Sequence, residues 1–69
     1  MTPNTRIRIA WQASGLTRYQ FGEAMGLPLQ KDSRGQPICK TLNNWLAEEG
    51  TTNYRPAPEA MARLAESIE

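Results

Sequence analysis

The sequence predicts an all-α domain of four to five helices, and three features of its 69 residues lead to that prediction. Apolar residues recur three and four positions apart in four separate segments, which is the spacing of one helix face. Capping residues precede the first two of these segments, and glycine follows the first three. Between the second and third segments, DSRG is a turn signal, and we expect an irregular loop there, with a short β-hairpin as the alternative.

The first helix is predicted over residues 3–14. Thr2 has the character of an N-cap, and the proline that follows occupies the first helical position, where its missing N–H costs nothing. Gly15 is the expected stop, because glycine readily adopts the left-handed conformation that ends a helix.

The second helix is predicted over residues 18–25, within the stretch LTRYQFGEAMGLP. Thr17 and Gln20 have the T-x-x-Q spacing of a capping box. Gly26 is the expected left-handed cap, and the proline two residues later forbids continuation. The helix is therefore short, about two turns.

The third helix is predicted over residues 40–49, where Leu42, Trp45 and Leu46 form an apolar stripe and Gly50 provides the stop. The segment TTNYRPAP that follows is polar and stiffened by proline. It leads into a predicted fourth helix at about 57–68, which Pro58 is expected to start.

The fourth helix carries apolar residues at helical spacing, and we expect it to contribute both to the core and to a dimer surface. A domain of this size is marginally stable alone, so dimerisation is a plausible source of stability. The residues assigned to dimerisation are Met61, Leu64, Ala65 and Ile68. The alternative is that this helix only completes a monomeric core.

Composition excludes several classes of function. Cys39 is the only cysteine and there is no histidine, so neither an internal disulfide nor a zinc site is expected, and we expect no cofactor. The chain has no apolar run of the kind found in signal peptides or membrane spans, and we expect a cytoplasmic protein. Without histidine or paired carboxylates in a cleft, we expect neither an enzyme nor a small-molecule substrate.

Charge is unevenly distributed although the net charge is only +1. Residues 1–40 hold six basic and two acidic residues, a net charge of +4, whereas residues 41–69 hold two basic and five acidic residues, a net charge of −3. This asymmetry indicates either a face for a polyanion or a solubilising scatter of charge.

Gly22 lies in the middle of the predicted second helix, where glycine costs about 1 kcal/mol relative to alanine. Such a residue is explained if a second helix crosses closely at this point, as in a helix-turn-helix unit. We expect Gly22 to face the third helix near Leu42 or Trp45. The alternative is a glycine that simply tolerates solvent.

The third helix has the division of faces typical of a DNA recognition helix. Its polar residues lie toward the N-terminus, where recognition helices contact base edges. Asparagine pairs with adenine, threonine offers a hydroxyl or methyl, and lysine reaches guanine or phosphate. The residues assigned to this role are Lys40, Thr41, Asn43 and Asn44. The alternative is an ordinary solvated face.

Phosphate contacts are predicted from three further regions. One is the segment TTNYRPAP, where Arg55 either contacts a phosphate or pairs with Glu48 or Glu49. The first turn of the second helix of the chain carries polar and basic side chains near free backbone N–H groups. The insert between the two helices of the motif carries two cations near its tip and is either a small DNA-contacting wing or a tolerated surface insertion. The residues assigned are Arg18, Tyr19, Gln20, Lys31, Arg34 and Arg55.

The segments LTRYQFGEAMGLP and KTLNNWLAEEG together resemble the helix-turn-helix family of lambda-repressor and Cro (XRE) type, with an expanded turn. The run from Lys40 through NYRPAPEAMARLAESI resembles the small anti-CRISPR-associated (Aca) regulators of phages and mobile elements. That resemblance implies a homodimeric repressor that binds an inverted-repeat operator in double-stranded DNA and autoregulates an anti-CRISPR operon.

In those regulators, arginines early in the first helix of the motif and at the start of the recognition helix contact DNA. The matching positions are Tyr19, Gln20 and Lys40, of which only Lys40 keeps the charge. Two other classes of function stay open from the residues alone. One is a small protein-binding module of antitoxin or inhibitor type, and the other is an excisionase-like protein that bends DNA.

Overall fold

The computed structural model describes residues 1–68 and contains four helices and one two-stranded antiparallel sheet. In chain order the elements are α1 (Pro3–Ser14), α2 (Arg18–Ala24), β1 (Gln30–Lys31), β2 (Pro37–Ile38), α3 (Lys40–Leu46) and α4 (Glu59–Glu66). α1 packs most extensively against α4 and also contacts α2 and α3. Within residues 1–68, no helix has both the length and the apolar character needed to cross a bilayer.

The first two helices begin as their capping signals predict. The Thr2 hydroxyl accepts a backbone N–H from the first turn of α1, and Gly15 at the other end is left-handed, with φ 73°. Both hydrogen bonds of the predicted capping box are present at the start of α2. α2 ends at Ala24, one residue earlier than predicted, and Gly26 is left-handed with φ 76°.

The prediction of an all-α fold is wrong, because residues 30–38 form a β-hairpin instead of an irregular loop. β1 and β2 pair antiparallel, with Gln30 opposite Ile38. The Asp32 carboxylate accepts two backbone N–H groups of the tip, at 2.8 and 2.9 Å, and so closes the turn. With the turn closed, the flanking residues can pair. The fold is therefore dominated by helices but includes a small sheet.

α3 is shorter than predicted and ends at Leu46. The next residue is extended, with φ −65° and ψ 157°. Side chains of α1 bind the last carbonyl groups of α3: the Asn4 amide donates to Trp45 O at 3.0 Å, and the Arg8 guanidinium donates to Leu46 O. These bonds satisfy carbonyls that would otherwise remain without partners at a helix end. The predicted extension to residue 49 was wrong because periodicity does not report such long-range bonds.

α4 spans Glu59–Glu66 and is shorter at both ends than the predicted helix at about 57–68. Pro58 is its N-cap, with ψ 148°, and is not the first helical residue. Ile68 lies beyond the end of the helix. Ala57, just before the N-cap, is buried in the core, which fixes the point at which α4 begins.

The buried apolar residues come from all four helices, from the end of the hairpin and from the segment before α4. They are Ile7, Phe21, Met25, Cys39, Leu42, Trp45, Leu46, Ala57, Ala62 and Ala65. The apolar stripe predicted for the third helix faces this core, as expected for an amphipathic helix.

Asn4 is a buried polar residue in α1, only 7% exposed, and its side chain connects three segments. The amide nitrogen donates to Trp45 O at 3.0 Å and to Arg55 O at 2.8 Å. The side-chain oxygen accepts the backbone N–H of Ala57 at 2.9 Å. The nitrogen and the oxygen of the side chain therefore both have hydrogen-bond partners, and these bonds hold the segment before α4 against the end of α3.

Arg6 joins α1 to α4 through two carboxylates, those of Glu59 and Glu66. Hydrogen bonds from the guanidinium hold the pKa of both carboxyl groups below the ordinary value for glutamate. The same bonds raise the pKa of Arg6. The carboxylates are about half exposed, at 51% and 46%, so solvent weakens the attraction.

The ion pairs between α1 and α4 predict a specific acid dependence of stability. Because the pKa of Glu59 and Glu66 is lower in the folded chain, their contribution is present above the pKa of unfolded glutamate and is lost as the pH falls. We expect Arg6→Gln to remove part of the loss of stability between about pH 5 and pH 3. Urea unfolding followed by circular dichroism at several pH values measures this difference.

Arg34→Gln is the matched control, because this substitution removes the same positive charge from an exposed position at the hairpin tip. This variant should keep the acid dependence of the parent chain. Parallel curves for Arg6→Gln and the parent would contradict the prediction.

Candidate nucleic-acid interface

The close contact at Gly22 exists, but its partner differs from the prediction. A methyl group at position 22 would lie 2.7 Å from Sγ and 2.8 Å from Cβ of Cys39, and 3.9 Å from a methyl carbon of Leu29. The prediction of Leu42 or Trp45 as the partner was wrong, because the nearest atoms belong to Cys39, the residue immediately before α3. Gly22 therefore seats the start of α3 and the beginning of the hairpin against α2.

The polar residues of α3 are not equally accessible. Lys40 is exposed, whereas Thr41, Asn43 and Asn44 are half-buried. At 100° per residue, Lys40 and Asn44 lie opposite the buried stripe of α3, with the other two at the edges of that face. Lys40 and Asn44 are therefore the α3 residues best placed for an external ligand.

Asn43 is less suited to base contact than its neighbour. Its Oδ1 atom is buried and has no hydrogen-bond partner among residues 1–68. Bidentate pairing with adenine needs both the oxygen and the nitrogen of the amide. Asn43 would therefore have to rotate its side chain before it could contact a base.

The first turn of α2 holds the three predicted residues in different environments. Arg18 is exposed, and its guanidinium carbon lies 5.3 Å from the centre of the Trp11 ring. Tyr19 is half-buried. The Gln20 side-chain oxygen accepts the Thr17 N–H at 3.1 Å, so that atom is committed to the capping box. Arg18 is the residue of this turn that best retains the features of a phosphate ligand.

The cations of the hairpin and of the segment before α4 are exposed. Lys31 lies on β1, and Arg34 lies in the turn. The guanidinium of Arg55 donates to the carbonyl groups of Thr52 and Tyr54 at 2.9 and 2.8 Å. Arg55 forms no ion pair with Glu48 or Glu49 in the part of the chain that the structure describes. A guanidinium has five N–H donors, so Arg55 keeps capacity for a further contact.

Two of the six basic residues in the N-terminal half serve the fold. Arg6 is bound to two glutamates, and Arg8 donates to the end of α3. The four that remain are exposed and form no ion pair within residues 1–68: Arg18, Lys31, Arg34 and Lys40. They lie on α2, the hairpin and the start of α3, which the contacts at Gly22 hold together. We call these four residues the cation cluster.

The residues assigned to dimerisation fall into two groups. Ala65 is fully buried within the chain and has no surface to offer a partner. Met61, Leu64 and Ile68 are half-buried and pack against the core. Ile68 also lines a groove of about 440 Å³ beside Ile9, which is 49% exposed.

Sequence reasoning missed Asn4, Trp11 and Cys39 as residues that position this face. Asn4 is spaced from Ile7 and Trp11 as i, i+3 and i+7, so it occupies a position of the apolar face of α1. A polar residue at such a position is a signal for a buried hydrogen-bonding role. Nothing in the local pattern identifies Cys39 as the partner of Gly22.

Comparison with known proteins finds no matching family model, no matching curated protein and no matching solved structure.

Proposed function

We propose that this chain is a sequence-specific DNA-binding repressor that acts as a homodimer on an inverted repeat, in the manner of the small anti-CRISPR-associated regulators that it resembles. The observation that carries the proposal is the cation cluster. Its four residues are exposed, have no acidic partner within residues 1–68, and lie on elements that meet at Gly22. Exposed cations on adjoining elements suit a phosphate backbone.

The roles of individual residues follow from their accessibility. Lys40 and Asn44, opposite the buried stripe of α3, are the leading candidates for base contacts, with Thr41 beside them. Asn43 has a secondary role, because its Oδ1 is buried. Phosphate contacts belong to the other three residues of the cation cluster, and Arg55 extends them toward α4.

A dimer fits the proposal because a two-fold protein matches a two-fold operator, with half-sites about 34 Å apart. The apolar area available for such a contact includes the exposed Ile9 on α1 and the half-buried Ile68 just beyond the end of α4. Sedimentation of the free protein and of its complex with duplex DNA tests the stoichiometry. A complex containing a single copy on the full repeat would contradict the dimer.

The proposal predicts different effects for base-reading and phosphate-binding residues. A duplex is first enriched from a random library by binding to the protein, and a scrambled duplex is the reference. We expect Asn44→Ala to cost about 1–3 kcal/mol on the enriched duplex and to have little effect on the scrambled one. Asn53→Ala, at an exposed loop position, is the matched control and should change neither.

Arg34→Ala tests the phosphate role in the same assay. It should weaken binding to both duplexes alike and reduce the slope of log K against log salt by about 0.9. Equal losses from Asn44→Ala on both duplexes would contradict base readout. If the protein enriches no duplex and leaves DNA-cellulose at low salt, the repressor proposal fails and the protein-binding module replaces it.

A further inference from the structure

We propose that Trp11 is a positioning residue that holds Arg18 ready for a phosphate group of duplex DNA. The inference rests on the proposed function and adds a residue to it. The guanidinium carbon of Arg18 lies 5.3 Å from the centre of the Trp11 ring, within the range of a cation–π contact. Arg18 itself is exposed, so this contact leaves it open to a ligand.

Packing holds the Trp11 ring in place. Trp11 is half-buried and packs against the core. Its Nε1 atom is buried and has no hydrogen-bond partner among residues 1–68. The buried edge of the indole keeps the ring in place, while the ring face contacts the Arg18 guanidinium. A platform role accounts for a large aromatic residue in this position.

The connection between α1 and α2 keeps the ring and the arginine in register. The Ser14 hydroxyl donates to Trp11 O at 2.6 Å and accepts the Leu16 N–H at 3.2 Å. The capping box then fixes the backbone immediately before Arg18. The backbone between Trp11 and Arg18 therefore has few free torsions, and it keeps the two stacked side chains together.

Stacking and phosphate binding use different parts of the guanidinium. The ring contacts the face of the planar group, whereas the N–H donors lie in its plane and at its edge. Arg18 can therefore stack on Trp11 and donate to a phosphate oxygen at the same time. A lysine at this position would keep the charge without this combination, because an ammonium has no planar face. Holding the side chain before binding also reduces the entropy lost when the complex forms.

The test is a double-mutant cycle on affinity for the enriched duplex, measured as a function of salt. We expect Trp11→Leu to weaken binding by about threefold and to reduce the salt slope toward that of Arg18→Ala. In the double variant, the loss of Trp11 should add nothing to the loss of Arg18. Trp11→Phe keeps an aromatic face and should recover most of the affinity and of the slope.

The fold is monitored separately by thermal unfolding, and Trp11→Met, which keeps an apolar side chain without an aromatic face, replaces Trp11→Leu if the leucine variant does not fold. An NMR spectrum without DNA adds a direct readout, because stacking should shift the Arg18 side-chain signals in the parent and not in Trp11→Leu. Additive losses, or an unchanged salt slope in Trp11→Leu, would overturn the positioning role alone. A parent chain that binds no duplex would overturn the proposed function and this inference together.

Discussion

Replacing Asn4 with alanine is expected to lower the free energy of unfolding by about 3–5 kcal/mol. The substitution removes three hydrogen bonds and leaves the Ala57 N–H and the carbonyl groups of Trp45 and Arg55 without these partners. Each buried polar group left unsatisfied costs about 1–3 kcal/mol. A domain of this size has only about 5 kcal/mol in total, so the variant should retain at most about 2 kcal/mol and unfold at a much lower urea concentration than the parent chain.

Urea unfolding followed by circular dichroism measures the effect, with Asn53→Ala as the control for loss of an exposed asparagine. Asn4→Asp provides a sharper comparison. The aspartate keeps an acceptor for the Ala57 N–H but presents oxygen to both carbonyl groups, so it should be at least as destabilising as alanine. A loss below about 1 kcal/mol for Asn4→Ala would show that the three bonds do not hold the segment.

Gly22→Ala is expected to destabilise the chain by about 1–3 kcal/mol, although alanine is the better helix former by about 1 kcal/mol. The added methyl would lie 2.7 Å and 2.8 Å from Sγ and Cβ of Cys39. Cβ is fixed to the backbone, so relief requires the start of α3 to move. The same movement would displace Lys40 and weaken the proposed DNA binding.

Two further variants separate packing from helix propensity. Ala24→Gly, at an exposed position of the same helix, measures the propensity difference without the contact. Cys39→Gly in the Gly22→Ala background removes the atoms that clash and should recover part of the lost stability. If Gly22→Ala instead stabilised the chain by about 1 kcal/mol, the close approach of α2 and Cys39 would be disproved.

Local signals predicted the parts of the fold that local interactions determine. Thr2, the capping box at Thr17 and Gln20, and the glycines after α1 and α2 act within one or two helical turns, and these boundaries agree with the structure to within a residue. The end of α3 depends on Asn4 and Arg8, about forty residues away in the chain. No periodicity within α3 contains that information.

The sequence predicted which residue types the candidate site contains better than it predicted how those residues are arranged on the surface. The cations of α2, the hairpin and α3 are exposed as expected, but Arg6 and Arg8 from the same basic half are used inside the fold. Both asparagines of α3 are half-buried, but they differ at the side-chain oxygen: Oδ1 of Asn43 is buried without a partner among residues 1–68, because the helix turns the two side chains by 100° relative to each other. A glycine within a helix indicates a close neighbour, but it cannot indicate which element supplies that neighbour.

The contacts of Gly22 with both Leu29 and Cys39 have a consequence for the insert. These residues stand just outside the two strands, so the insert leaves α2 and returns to almost the same place. Its length has little influence on the relative placement of the helices that flank it. Related chains could thus gain or lose residues at the tip while preserving their helical framework, and this tip is a natural place for diversification.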